Sequence, residues 1–162
     1  MLAYGLGRIG CQVAGDGDWG IPNDAPLPSW LSFLPQWMWA YDYPNNVLGV
    51  NLAEDFSKMG YQSISGNAFP APFYETILCM LIFTLLWSLR KKISTPGSMF
   101  SVYLMFNGIE RLLIEQIRIN TLYHIGSFSF TQAELISVLL FISGLFGIWY
   151  FRKRNRDIKV LG

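Results

Sequence analysis

Three long apolar stretches constrain this chain more than anything else in it. Phe73–Leu89 (FYETILCMLIFTLLWSL) carries one charge, near its start. Met99–Ile119 (MFSVYLMFNGIERLLIEQIRI) carries its charges in the second half. Ala133–Phe151 (AELISVLLFISGLFGIWYF) again has one charge, near its start. A helix needs about 17–25 residues to cross the hydrocarbon core of a bilayer, so all three are long enough. The middle one qualifies provided that its charged side chains face protein or water and not lipid. Composition agrees, because 14% of residues are charged against roughly 25% in soluble domains. A net charge of +1 leaves no electrostatic footprint for a nucleic acid.

Charge placement orders the spans. Of the 12 Lys and Arg, three follow the first stretch (Arg90, Lys91, Lys92) and five follow the last (Arg152, Lys153, Arg154, Arg156, Lys159). Short segments rich in Lys and Arg stay cytoplasmic, so the first span runs inward, the second returns and the third ends inside. The expected fold is an all-α polytopic membrane protein with three full transmembrane helices, 73–89, 99–119 and 133–151, and a basic cytoplasmic tail over 152–162. Residues 1–14 read as the outer end of a fourth helix, and 15–72 as a long irregular extracytoplasmic loop. That loop holds Trp19, Trp30, Trp37 and Trp39, four of the six Trp. Trp and Tyr favour the headgroup region, so PSWLSFLPQWMWAYDYP is expected to lie on or dip into the outer interface as short helices and turns.

Cys11 and Cys79 are far apart, and the second lies within a span. They indicate neither a disulfide framework nor a metal pair. The polar residues of the second span say more. Asn107, Arg111, Glu115 and Arg118 are four, four and three apart, so they share one helix face, which Tyr103 extends. At 1.5 Å per residue Arg111 lies about 18 Å from the cytoplasmic start, past the bilayer centre. In one reading Arg111 and Glu115 form an ion pair that lets a polar helix sit in a bundle. In the other the stripe lines a cavity open to the outer leaflet, where Arg111 fixes an anionic headgroup. The number of costly ionisable residues favours the second. Arg8, at similar depth on another helix, either shares a phosphate with Arg111 through bidentate hydrogen bonds or snorkels to the interface. Glu75 stands in the first turn of its span behind Pro70 and Pro72, where the helix dipole favours a carboxylate in any case. The lone His124 falls in an outer loop and reads as surface.

Three blocks in order resemble the prolipoprotein diacylglyceryl transferases of bacterial plasma membranes. GRIGCQVAGDGDWG is similar to a signature Gly-Arg-x-Gly-Asn followed by Gly-Glu, and FPAPFYETIL to His-Pro-x-x-x-Tyr-Glu at the head of a span. PGSMFSVYLMFNGIERLLIEQIR is similar to the family's Gly-x-x-Arg-x-x-x-Glu-x-x-Arg helix, and TQAELIS to the polar opening of its final span. The resemblance implies transfer of the diacylglyceryl group from phosphatidylglycerol to the lipobox cysteine thiol of a prolipoprotein signal peptide. It implies a multi-pass protein of the bacterial inner membrane, embedded in the lipid bilayer, with no cofactor and no metal.

By the same resemblance Arg8, Arg111 and Glu115 are the catalytic set, the two arginines holding the phosphate. Asp16 stands for the signature Glu, and Tyr74, Glu75, Asn107 and Arg118 complete the substrate-binding set. Cys11 replaces the family's Asn, Phe69 its His and Asn107 a Tyr, and an extra residue precedes Trp19, which marks a divergent subgroup. The family also has further helices and an essential His-Gly-Gly segment before the arginine signature. The chain therefore reads as a C-terminal portion, expected to be inactive alone. A non-catalytic lipid-binding or assembly protein using the same arginines is the alternative. A small transporter fits poorly, since the chain shows neither repeats nor paired half-helices.

Overall fold

A computed structural model of the chain describes residues 1–63, 65–93, 95–119, 123–125 and 128–161, without side chains at 123–125, 128–129 and 156–161. The elements in order are α1 (Leu2–Ala14), α2 (Leu52–Lys58), α3 (Ala71–Leu89), α4 (Ser98–Glu115), β1 (Tyr123–Ile125), β2 (Phe128–Phe130) and α5 (Gln132–Leu161), with short 3-10 turns at Ser29–Leu31 and Gln36–Met38. They divide into a tryptophan-rich unit, Leu2–Ile77 with Gln116–Ile119, and a helix-pair unit, Leu78–Glu115 with Asn120–Gly162 and Met1.

In the tryptophan-rich unit α1 ends where the Gly15 N–H donates to the Cys11 carbonyl at 2.9 Å, the return bond of a glycine C-cap. The segment beyond it, expected as an irregular loop, has a core of its own. Trp19, Tyr43, Leu52, Phe56 and Ala68 bury together, with Tyr41, Val50 and Ile119 packed against them. Leu52 and Phe56 are four apart on α2, so one face of that short helix supplies both. Asn51 caps it, its side chain accepting from the Ala53 N–H at 3.0 Å. Extended segments tie the unit together. Gly20 donates to the Phe69 carbonyl at 2.9 Å, Ile21 to that of Ile117 at 2.8 Å, and Tyr41 to that of Ala68 at 3.0 Å.

Those ties explain a difference from the expected second span. The helix stops at Glu115, short of Ile119, because Ile117 and Arg118 are drawn into backbone pairing with Ile21 and Gly20. Pairing of that kind needs an extended chain. Arg118 therefore leaves the helix face on which its spacing had put it.

The helix-pair unit is built differently. α4 and α5 approach along a row of small residues, Ser101 and Gly108 on one helix and Ser137, Gly144 and Gly147 on the other. A Cβ at Gly144 would fall 2.6 Å from the Ser101 carbonyl oxygen, so the close approach requires glycine there. Small residues at a helix crossing let backbones meet without a hydrophobic driving force, as association within lipid demands. α5 opens on a reciprocal cap: the Glu134 N–H donates to Thr131 Oγ1 at 3.1 Å, and the Thr131 N–H to Glu134 Oε2 at 2.9 Å. Such a capping box satisfies two otherwise orphaned donors.

Two helices among the described residues are long and apolar enough to cross a membrane, Ala71–Leu89 and Gln132–Asn155. Away from its α4 face, α5 turns apolar side chains outward from Leu135 to Tyr150, as a helix exposed to lipid would. Of the three full spans expected, the first and the third correspond to such helices. α4 has 18 residues and carries Glu110, Arg111 and Glu115. The all-α expectation also missed a short antiparallel hairpin, in which Tyr123 pairs with Phe130 and Ile125 with Phe128. Its aromatic and β-branched residues at every second position are strand formers, too few to register as a strand beside spans of this length. The backbone of His124 lies in β1, and its side chain is outside the described residues.

Candidate functional site

Charge in the tryptophan-rich unit gathers around Arg8, which is 8% exposed. α1 presents it, flanked by Tyr4 and Cys11 one turn away on either side. Its Nη1 donates to Asp18 and lies 3.5 Å from Cys11 Sγ, while Nε forms an ion pair with Glu75 Oε2 at 2.5 Å. The Tyr4 hydroxyl donates to the other oxygen of Glu75, and the Tyr4 ring lies 5.5 Å from the guanidinium. Arg118 reaches the second carboxylate oxygen of Asp18 through Nη2. Two guanidiniums and two carboxylates thus form one chain, Arg118–Asp18–Arg8–Glu75. Isolated charges at this depth of burial are costly, and the alternation of sign is what makes the cluster tenable.

Each member is delivered by a distinct local cause. Glu75 is 2% exposed on the first turns of α3, whose start is set by Pro70 and Pro72, both buried. The Phe73 and Tyr74 N–H groups bond back to the Pro70 carbonyl. Thr76 Oγ1 lies 3.2 Å from the Gly5 carbonyl and 2.8 Å from that of Pro72, clamping α3 to α1 beside the Arg8–Glu75 pair. Arg118 arrives through the pairing of Ile117–Arg118 with Gly20–Ile21. Gly20 has no room for a side chain, since a Cβ would fall 2.5 Å from the Ile117 carbonyl oxygen and 2.8 Å from Phe69 Cβ. Asp18 directly precedes the buried Trp19, so packing of the indole fixes where its carboxylate stands.

The two aspartates of the Gly-Asp-Gly-Asp run stand in different surroundings. Asp16 is exposed, and Asp18 bridges the arginines. Sequence reasoning passed over Asp18 and Tyr4. The adjacency of Asp18 to a core tryptophan was the available signal. Tyr74, expected to bind substrate, donates its hydroxyl to the Met38 carbonyl at 2.7 Å. The carboxylates of Asp16 and Asp18 and the Cys11 sulfur lie within 4.8 Å of one another. Two guanidiniums on Asp18 oppose a cation there, so this donor set does not favour a metal centre.

On another side of α1 is a cavity of about 750 Å³, walled by Ile9, Val13, Trp37 and Phe73, with Gln12 and Asn45 at its edge. Tyr43 borders it at a backbone φ of 45°, a left-handed conformation that non-glycine residues adopt under strain. Its hydroxyl donates to Gln12 Oε1 at 2.9 Å. Burial pushes the Tyr43 phenol above the usual tyrosine range, so it stays a neutral donor.

The remaining predicted residues, Asn107, Arg111 and Glu115, belong to α4 in the helix-pair unit. Asn107 Nδ2 donates to the Tyr103 hydroxyl at 3.4 Å, Arg111 is half-buried and Glu115 is buried. Glu110, 2% exposed, is the buried acid that counting along the Arg111 face passes over, because it lies one position off the stripe.

The comparisons with known proteins bear on this arrangement. The family model for prolipoprotein diacylglyceryl transferase matches residues 1–150. A phosphatidylglycerol–prolipoprotein diacylglyceryl transferase of Parasynechococcus marenigrum is 27% identical, over 98% of this chain and 53% of its own length. Its counterpart from Clostridium tetani is 29% identical over 94% of this chain and 51% of its own. That from Oceanobacillus iheyensis is 27% identical over 94% and 46%. The chain spans about half the length of the curated relatives it matches. No solved structure matches it at a comparable level. With the arginine signature, the Tyr-Glu turn and the charged helix all inside the matched range, the chain belongs to the prolipoprotein diacylglyceryl transferase family.

Proposed function

We propose that this chain carries the phospholipid-handling part of a diacylglyceryl transferase. The complete gene product moves the diacylglyceryl group of phosphatidylglycerol onto the lipobox cysteine of a prolipoprotein signal peptide in the bacterial inner membrane. The observation that carries this reading is the buried Arg8 joined through Asp18 to Arg118. Attack of the peptide sulfur on the glyceryl carbon forms the C–S bond and breaks the C–O bond to phosphate, the thiol proton passing to a base and so to solvent or the departing phosphate. Negative charge then develops on the departing glycerol phosphate, where preorganised guanidiniums lower the barrier most. In this reading Asp18 and Glu75 hold Arg8 and Arg118 in place until the lipid phosphate takes up their free donors. The cavity beside α1 offers apolar walls to the lipid's chains. Arg111, Glu115 and Asn107 enter through the resemblance of their helix to the family's, and α4 would supply the third span.

The test is transfer from phosphatidylglycerol to a lipobox peptide by the complete gene product in lipid vesicles. Arg8→Ala and Arg111→Ala are each expected to abolish thioether formation. Wild-type rates in either variant would sink the assignment of that arginine. Retention of phosphatidylglycerol by the wild type without any thioether product would favour the non-catalytic alternative.

A further inference from the structure

One feature of the tryptophan-rich unit has no part in the arginine cluster. Between Asp24 and Asp42 the chain reads APLPSWLSFLPQWMWAY, without one charged side chain. The two 3-10 turns fall in this strap, and most of its anchoring is at one end. Tyr74 donates to the Met38 carbonyl at 2.7 Å. Trp37 meets Phe73 edge to face at 5.0 Å, and Trp39 meets Phe69 in the same manner at 5.4 Å. Trp39 Nε1 donates to the Ala25 carbonyl at 3.0 Å. Phe73 and Tyr74 stand in the first turn of α3, one of the two helices fit to cross a bilayer. The strap is thereby pinned at the mouth of that span, at the level where headgroups would be.

Its far end is left bare. Trp30 is 74% exposed and Phe33 77% exposed, while Leu31 and Leu34 between and behind them are half-buried. Consecutive turns, with Leu31 N–H on the Pro28 carbonyl and Leu34 N–H on that of Leu31, both at 2.8 Å, hold the tip in shape. An exposed tryptophan and phenylalanine on an uncharged, proline-bounded turn are costly in water. At the headgroup level the indole keeps a polar edge and buries its ring.

The geometry points to the Pro28–Pro35 tip as a wedge that inserts Trp30 and Phe33 into the headgroup region of the leaflet at the N-terminal end of α3. Its partner is a phospholipid surface, not a protein. The wedge rests on α3 crossing the bilayer and is independent of any transferase activity, so a failure here leaves the proposed reaction standing, and the reverse.

The test uses the chain reconstituted in lipid nanodiscs of phosphatidylcholine and phosphatidylglycerol, alongside Trp30→Phe. The difference between their fluorescence spectra is the Trp30 emission. Replacing the lipid with phosphatidylcholine brominated near the headgroup end of its chains is expected to quench most of that difference signal, while aqueous iodide leaves it nearly unchanged. Quenching by iodide and not by bromine would overturn the wedge. Emission untouched by both quenchers would overturn it too, because it would mean that protein covers the tip. Adding Phe33→Trp to the Trp30→Phe chain keeps an aromatic at each exposed position and is expected to restore bromine quenching. Its failure to do so would remove Phe33 from the wedge.

Discussion

The two units of this protein solve burial in opposite ways. In the tryptophan-rich unit, charge is buried against charge: Arg8 and Arg118 are held by Asp18 and Glu75, residues far apart in sequence. In the helix-pair unit, α4 and α5 meet through Gly108, Gly144 and small serines, and shape decides the contact. The first arrangement is expensive to break at one point, since removing one partner strands a buried charge. The second is sensitive to volume, since any added atoms must displace a neighbouring backbone.

The largest effect that would sharpen this contrast is expected from Glu75→Ala. Arg8 then loses one of its two ion pairs and the Tyr4 hydroxyl its acceptor, Asp18 remaining on Arg8. Breaking a buried pair costs about 3–5 kcal/mol, and thermal unfolding in mild detergent should show a loss of that order. A fall below about 1 kcal/mol, the range of exposed pairs, would mean that the cluster is effectively solvated. Gly144→Leu addresses the other unit. The added side chain meets Ser101 and Met105, and overpacking of this kind costs about 1–3 kcal/mol. Stability unchanged by that leucine would show that α4 and α5 are not closely seated. A smaller loss, about 1 kcal/mol, is expected from Asn51→Ala, which removes the cap of α2 at a side chain that is exposed. The same unfolding measurement checks it, and no loss would mean that α2 is held by Leu52 and Phe56 alone.

The two units also differ in how far they can be read from sequence, and for physical reasons. The long runs of α3 and α5 are visible because an apolar run of that length has few other fates. Arg8, Glu75 and Arg118 stand out as ionisable residues in apolar surroundings. Their association does not, because periodicity relates only neighbours on one element. Arg118 shows this best. Its spacing from Arg111 and Glu115 fits a helix face, yet extended pairing with Gly20 ends the helix first. The core around Trp19 and Phe56 was hidden for a different reason. Aromatic residues among prolines and glycines give the same composition whether they line an interface or fill a small core. In this unit they are buried at Trp19 and Tyr43 and bare at Trp30 and Phe33.

The smallest expected effect discriminates most finely within the charged cluster. Asp16 and Asp18 are two positions apart in a glycine-rich turn, and the family's signature acid could be matched to either on composition. The structure separates them by surroundings, with Asp16 exposed and Asp18 holding both guanidiniums. Asp16→Asn is therefore expected to change stability by no more than about 0.5 kcal/mol, as for an ordinary surface substitution. Asp18→Asn removes a charge that two arginines share, and it should lower both stability and diacylglyceryl transfer well beyond that. Assaying the pair side by side in the complete gene product makes the comparison internal. If Asp16→Asn proved the more damaging of the two, the bridge through Asp18 would not be the arrangement on which function depends.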